Sequence, residues 1–112
     1  MREKRISRLL TDDYSERILA ACFHQARAAQ EISDAFDIPI AACYRKIHEL
    51  EEAGFLACEK EVVTAKGKSM RLYRSQLRRA QIVFEEGAFR VQFVFEPEQE
   101  INGKWIDLSK SA

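Results

Sequence analysis

Apolar positions along this chain change their period, which divides it into a helical front and a stranded back. Ile6, Leu9 and Leu10 fall on one face of a short N-terminal helix. Asp13 and Glu16 have the spacing of a capping box, in which each side chain satisfies a backbone N–H at the other end of the first turn. Ile18, Leu19, Cys22 and Phe23 then follow at helical spacing as a buried stripe. Residues 20–36 contain no Gly or Pro, and propensity alone runs a single helix through them. Pro39 disfavours helical geometry at Ile38 and suits the first turn of a new helix, while Asp37 tolerates the left-handed conformation of a tight turn. Ile40, Cys43, Ile47 and Leu50 renew the stripe, and Gly54 is a natural stop. The pattern predicts a helix ending near Phe36, a three-residue turn, and a helix over residues 39–53.

Beyond Gly54 the spacing shortens. Residues 55–63 are rich in β-branched and aromatic side chains, residues 65–69 form a turn carrying Lys66 and Lys68, and residues 70–74 return as a second strand. A helix-turn-helix followed by a basic-tipped hairpin is the layout of a winged helix. The hairpin logic recurs: residues 81–84 and 88–96 flank Glu85-Glu86-Gly87, with Phe89, Val91, Phe93 and Phe95 alternating on one face. Asn102-Gly103 is the strongest two-residue hairpin signal. The expected fold is α+β and mainly helical: a winged helix-turn-helix over residues 1–75, and β-hairpins over 76–112 within the same compact unit.

Composition narrows the class. The chain has 112 residues, the size of one domain, and a hydrophobic fraction of 46% suits a globular core rather than a disordered chain. No apolar run approaches the ~18 residues of a membrane helix, and the charged N-terminus is followed by no apolar signal segment. Three cysteines, an odd number outside any spaced framework, point to free thiols in a reducing compartment, and the expected location is cytoplasmic. Net charge is zero, but residues 60–79 carry +6 and residues 85–107 carry −4, a segregation that can make one face basic and another acidic.

Three stretches resemble one family. Residues 9–19 (LLTDDYSERIL) look like the opening of the ArsR-like winged-helix regulators of prokaryotes. Residues 30–56, from Gln30-Glu31-Ile32 through Ile38-Pro39 and Tyr44-Arg45 to Gly54-Phe55-Leu56, resemble the family's helix-turn-helix, and residues 67–74 its wing return. The resemblance covers about residues 9–75 and implies a winged-helix fold and duplex DNA as partner. It also implies a break between two helices near residues 24–29, which carry neither a Gly or Pro nor a Ser or Thr cap. Ala41-Ala42 stand where the family often has Ser-Thr, and Cys43 alone does not reproduce the closely spaced cysteines of its metal-sensing branch.

On that resemblance the helix over 39–53 enters the major groove. Ile40 and Ala41 are placed to touch a thymine methyl, Tyr44 a phosphate and Arg45 a guanine, with Lys46 and His48 beside them. Lys66, Lys68 and Arg71 of the wing, residues 64–71, are placed on phosphates. The plainer reading makes the helix residues ordinary polar surface and the wing cations solubilising charge. Metal chemistry is not expected: Cys43 and His48 lie ~140° apart around a helix. No nucleophilic triad or phosphate-binding glycine loop is present, so neither an enzyme nor a cofactor is expected, and no effector is indicated. Phe89, Val91, Phe93 and Phe95 are assigned to a homodimer interface, because a short winged helix is expected to have its core already filled; the alternatives are that these hairpins cap the chain's own helices, or that the Ile6, Leu9 and Leu10 stripe forms the interface. The rival class is a winged-helix protein-interaction module without base readout.

Overall fold

A computed structural model describes the backbone of residues 2–95 and 105–107 and the side chains of residues 5–95. Four helices come first: α1 (Arg2–Leu10), α2 (Asp13–Ala21), α3 (Ala29–Phe36) and α4 (Ile40–Glu52). Five strands follow: β1 (Leu56–Val63), β2 (Ser69–Ser75), β3 (Leu77–Glu85), β4 (Ala88–Phe95) and β5 (Trp105–Asp107). Helix takes 40% and strand 36% of the described residues, so the α+β chain is balanced rather than mainly helical. Much of the excess strand comes from β3. It begins at Leu77 rather than near 81, through arginines that give no apolar alternation.

Local chemistry sets the helix ends. The cap of α2 is Asp12, one residue before the expected Asp13; its Oδ2 accepts from the N–H groups of Tyr14 and Ser15 at 3.0 and 3.1 Å. The unbroken helix that propensity favours over residues 20–36 does not form. α2 ends at Ala21, and residue Arg27 makes an isolated antiparallel bridge to Tyr73 through two backbone hydrogen bonds of 3.0 and 2.8 Å. α3 starts just after it, where the Ala28 N–H donates to the Glu31 carboxylate at 3.4 Å. Asp37 adopts the left-handed conformation expected of it (φ 56°, ψ 52°), and the hydroxyl of Ser33 donates to the Ile38 carbonyl across the turn. Pro39 sits one position outside α4, as its N-cap. α4 closes in a Schellman motif: Gly54 (φ 87°) donates to the Glu51 carbonyl and Phe55 to the Leu50 carbonyl.

Ile18, Ile32, Ile47, Leu50, Cys22 and Cys43 meet in one core, all essentially without exposure. β1 and β2 form an antiparallel hairpin, the wing. At Ser75-Gln76 the chain crosses to a second sheet, pinned by Ser75 N–H to the Cys22 carbonyl (3.0 Å) and Gln76 N–H to the Phe55 carbonyl (2.8 Å). That sheet has the order β3-β4-β5 and is antiparallel throughout. Its first turn is two residues, Glu86-Gly87, both at positive φ (51° and 81°), the hairpin geometry that matches strand twist. Asn102-Gly103 lies outside the described residues; β5, just after it, pairs with β4.

The premise of a filled core does not hold. Phe55 receives Phe93 at 5.3 Å between ring centroids and Phe95 at 5.8 Å, the latter nearly parallel at 10°. Val91 is fully buried and Phe93 almost so. Three of the four residues assigned to a dimer surface are thus taken up by the chain's own core or packed against it. Phe89 stays half open and pairs with exposed Phe84 at 4.8 Å.

Candidate nucleic-acid interface

α4 is held by its inner stripe and presents the opposite arc. Cys43, Ile47 and Leu50 point into the core, as their spacing predicts. Ala41, Tyr44, Arg45 and His48 are exposed and, at ~100° per residue, span about 100° of the helix. Ile40, at the edge of this arc, is 37% exposed. The Arg45 side chain is 65% exposed and pairs with Glu49 at a loose 3.9 Å. Such an i,i+4 pair is worth a few tenths of a kcal/mol, ~0.2–0.5, so a stronger acceptor displaces it readily.

Lys46 belongs elsewhere. Its side chain is only 16% exposed, and its Nζ lies 3.6 Å from Asp12 Oδ1 and 3.9 Å from Glu49 Oε2. Asp12 therefore caps α2 with one oxygen and anchors α4 with the other. The structure brings Lys46 into the joint between helices and not onto the open arc.

The wing turn is built by Thr64. Its carbonyl accepts from Gly67 N–H at 2.8 Å, its hydroxyl from Lys68 N–H at 3.1 Å, and its N–H donates to the Lys68 carbonyl at 2.8 Å. This holds Lys66 and Lys68 out at an exposed tip. Arg71 is set further back. Its Nη2 is 3.0 Å from Glu51 Oε2 and its guanidinium lies 5.2 Å from the centre of the Tyr73 ring, so it braces the wing against α4. Between helix and wing lies a cleft of about 390 Å³, lined by Ala29, Gln30, Tyr44, Lys68, Met70 and Arg71.

Residues 10–59 match the family model of a helix-turn-helix domain. The match takes in α2, α3, α4 and the first half of β1, and ends before the wing tip and the second sheet. No curated protein and no solved structure matches the chain. Within the helix-turn-helix, two residues were given no role from sequence: Gln30, which lines the cleft, and Glu51, which pairs with Arg71. Gln30 is exposed near the start of α3. Glu51, the partner of Arg71, lies seven residues after Tyr44 on the same helical stripe, a spacing that marks it as wing-facing.

The basic run of residues 60–79 does not form one patch. Lys66 and Lys68 reach the wing tip. Arg74 is spent on structure, donating to the Phe23 carbonyl at 3.2 Å and pairing with Glu59 at 3.6 Å, while Arg79 rides on β3 in the second sheet. Burial pushes the Cys22 thiol up to about 12 and raises Cys43 and the Tyr73 phenol, so these groups remain neutral inside the fold. No helix among the described residues is long and apolar enough to cross a membrane.

Proposed function

We propose that this protein is a cytoplasmic transcriptional regulator, of the ArsR-like winged-helix kind its sequence resembles, which binds duplex DNA as a homodimer. The observation that carries this reading is the open arc of α4, inside the segment that matches a helix-turn-helix, beside a wing whose tip exposes two lysines. A helix ~10–12 Å across fits a major groove ~12 Å wide. In that pose Arg45 donates two parallel bonds to guanine O6 and N7, and Ile40 and Ala41 meet a thymine methyl, while His48 lies further along the same arc. Tyr44, Lys66 and Lys68 contact phosphates, and Arg71 joins them at the expense of Glu51. Two copies supply two such helices for half-sites ~34–36 Å apart.

The rival reading, a protein-interaction module, draws support from Glu49, Glu51 and Glu52 in the rear half of α4 and from the zero net charge. Selection from a random duplex pool, followed by a salt titration of the selected sequence, separates the two. A regulator enriches a common sequence and binds it with affinity that falls steeply with salt. Failure to enrich any duplex at low salt would remove the DNA reading.

A further inference from the structure

The second sheet ends in an open flank. In the order β3-β4-β5, β3 pairs on one side only among the described residues. A nine-residue strand with an open side is a template for another strand. From Arg79 to Glu85 every side chain is exposed except half-buried Val83. The Glu86-Gly87 turn closes on the pair Glu85 and Ala88, and the pair closing such a turn exchanges both backbone bonds. Alternation then directs the backbone groups of Gln81, Val83 and Glu85 toward β4, and those of Ala80, Ile82 and Phe84 outward.

The residues on this flank are their own complement when turned end for end. Arg79 stands at one end, Glu85 at the other, and Ile82 midway. We propose that β3 pairs antiparallel with β3 of a second copy about a two-fold axis at Ile82, joining two three-stranded sheets into one. In this register Arg79 lies opposite Glu85 of the partner subunit, and the contact occurs twice. Ala80 lies opposite Phe84 of the partner subunit, a small residue against a large ring, and the two Ile82 side chains meet. Each pair shares a face of the sheet, as directly opposed residues must. The outward backbone groups of Ala80, Ile82 and Phe84 are those this register uses. Parallel in-register pairing would set Arg79 on Arg79 and Glu85 on Glu85, so the charges select the antiparallel form.

The occupant is a second copy because the complement is written in the strand itself. The apolar residues left open on the same face, Ile82 (44%), Phe84 (62%) and Phe89 (51%), lie at or beside this seam. Among the described residues Glu85 pairs within its own chain with Arg90 at 3.9 Å, and that pair is solvent-exposed and weak. The proposal rests on the homodimer part of the reading above and is independent of the DNA contacts.

The test is a charge-reversal cycle followed by sedimentation equilibrium on the full chain. Arg79→Glu and Glu85→Arg alone each set like charges opposite at both contacts and weaken the dimer roughly tenfold or more. The double variant restores it, and so does an equimolar mixture of the two single variants, because each supplies the charge the other lacks. A wild type that is monomeric at a hundred micromolar or so would overturn the proposal and make the arginines mere edge blockers. Single variants as dimeric as wild type, or a mixture that fails to re-associate, would also overturn it. Duplex binding by the same samples is read separately: a dimer that ignores DNA refutes the DNA reading and leaves this interface standing.

Discussion

Ser15 carries a hydroxyl that is buried and, among the described side chains, makes no hydrogen bond. An unsatisfied buried hydroxyl costs ~1–3 kcal/mol relative to a satisfied one, so Ser15→Ala is expected to leave the fold intact and to keep or raise Tm. A fall of several degrees in a thermal melt would show that the hydroxyl has a partner. Cys22 makes a pH-dependent contribution of definite sign. The unfolded thiol ionises near 9, whereas burial holds the folded one up to about 12. Between those values the unfolded chain releases a proton that the folded chain keeps, so the contribution is full below 9 and is lost as pH rises toward 12. The stability advantage of wild type over Cys22→Ala, measured by urea unfolding, therefore shrinks from pH 8 to pH 10.5; a constant advantage would contradict the buried thiol. At this scale the sequence was legible where chemistry is local. Asp37 and Gly54 take the roles their residue types dictate, Pro39 falls one position outside the first turn expected of it, and the fate of Lys46 depends on where Asp12 arrives in space.

Elements were readable in proportion to how locally they are determined. α4 carries its own stop, and the wing hairpin its own turn, so both fall within a residue or two of expectation. The break between α2 and α3 has no local marker. It is made by the pairing of Arg27 with Tyr73, 46 positions away, and that pairing forms only when the wing root folds back. The second sheet was legible in β4, where apolar residues alternate, and illegible at the start of β3, where Arg78 and Arg79 interrupt the pattern. Lys66→Gln with Lys68→Gln lowers affinity for every duplex alike and flattens the log–log salt dependence by up to ~2 units, about 0.9 for each lost phosphate contact. An unchanged slope in a fluorescence anisotropy titration would show that the tip does not touch DNA.

As a whole the molecule is extended, 57 Å along its longest axis and with a radius of gyration of 15.4 Å, against roughly 13 Å for a compact chain of this size. The second sheet docks at one end only: Phe93 and Phe95 sit on Phe55, while Phe84 and Phe89 stand away from it. No local pattern shows which end of an alternating strand meets the helices, so the sequence revealed the apolar face without its destination. Phe93→Ala is expected to destabilise the whole chain by ~3 kcal/mol or more, as removal of a core phenylalanine does. Urea unfolding followed by far-UV circular dichroism checks it; a loss under 1 kcal/mol would mean that the hairpin is an appendage.

Base reading by α4 stands or falls with Arg45. Competition binding compares wild type and Arg45→Ala on the selected duplex and on an unrelated one at a single salt concentration. Base contacts discriminate and phosphate contacts do not, so Arg45→Ala is expected to lose roughly tenfold or more on the selected sequence and to change little on the unrelated one. An equal loss on both duplexes would contradict base reading by Arg45.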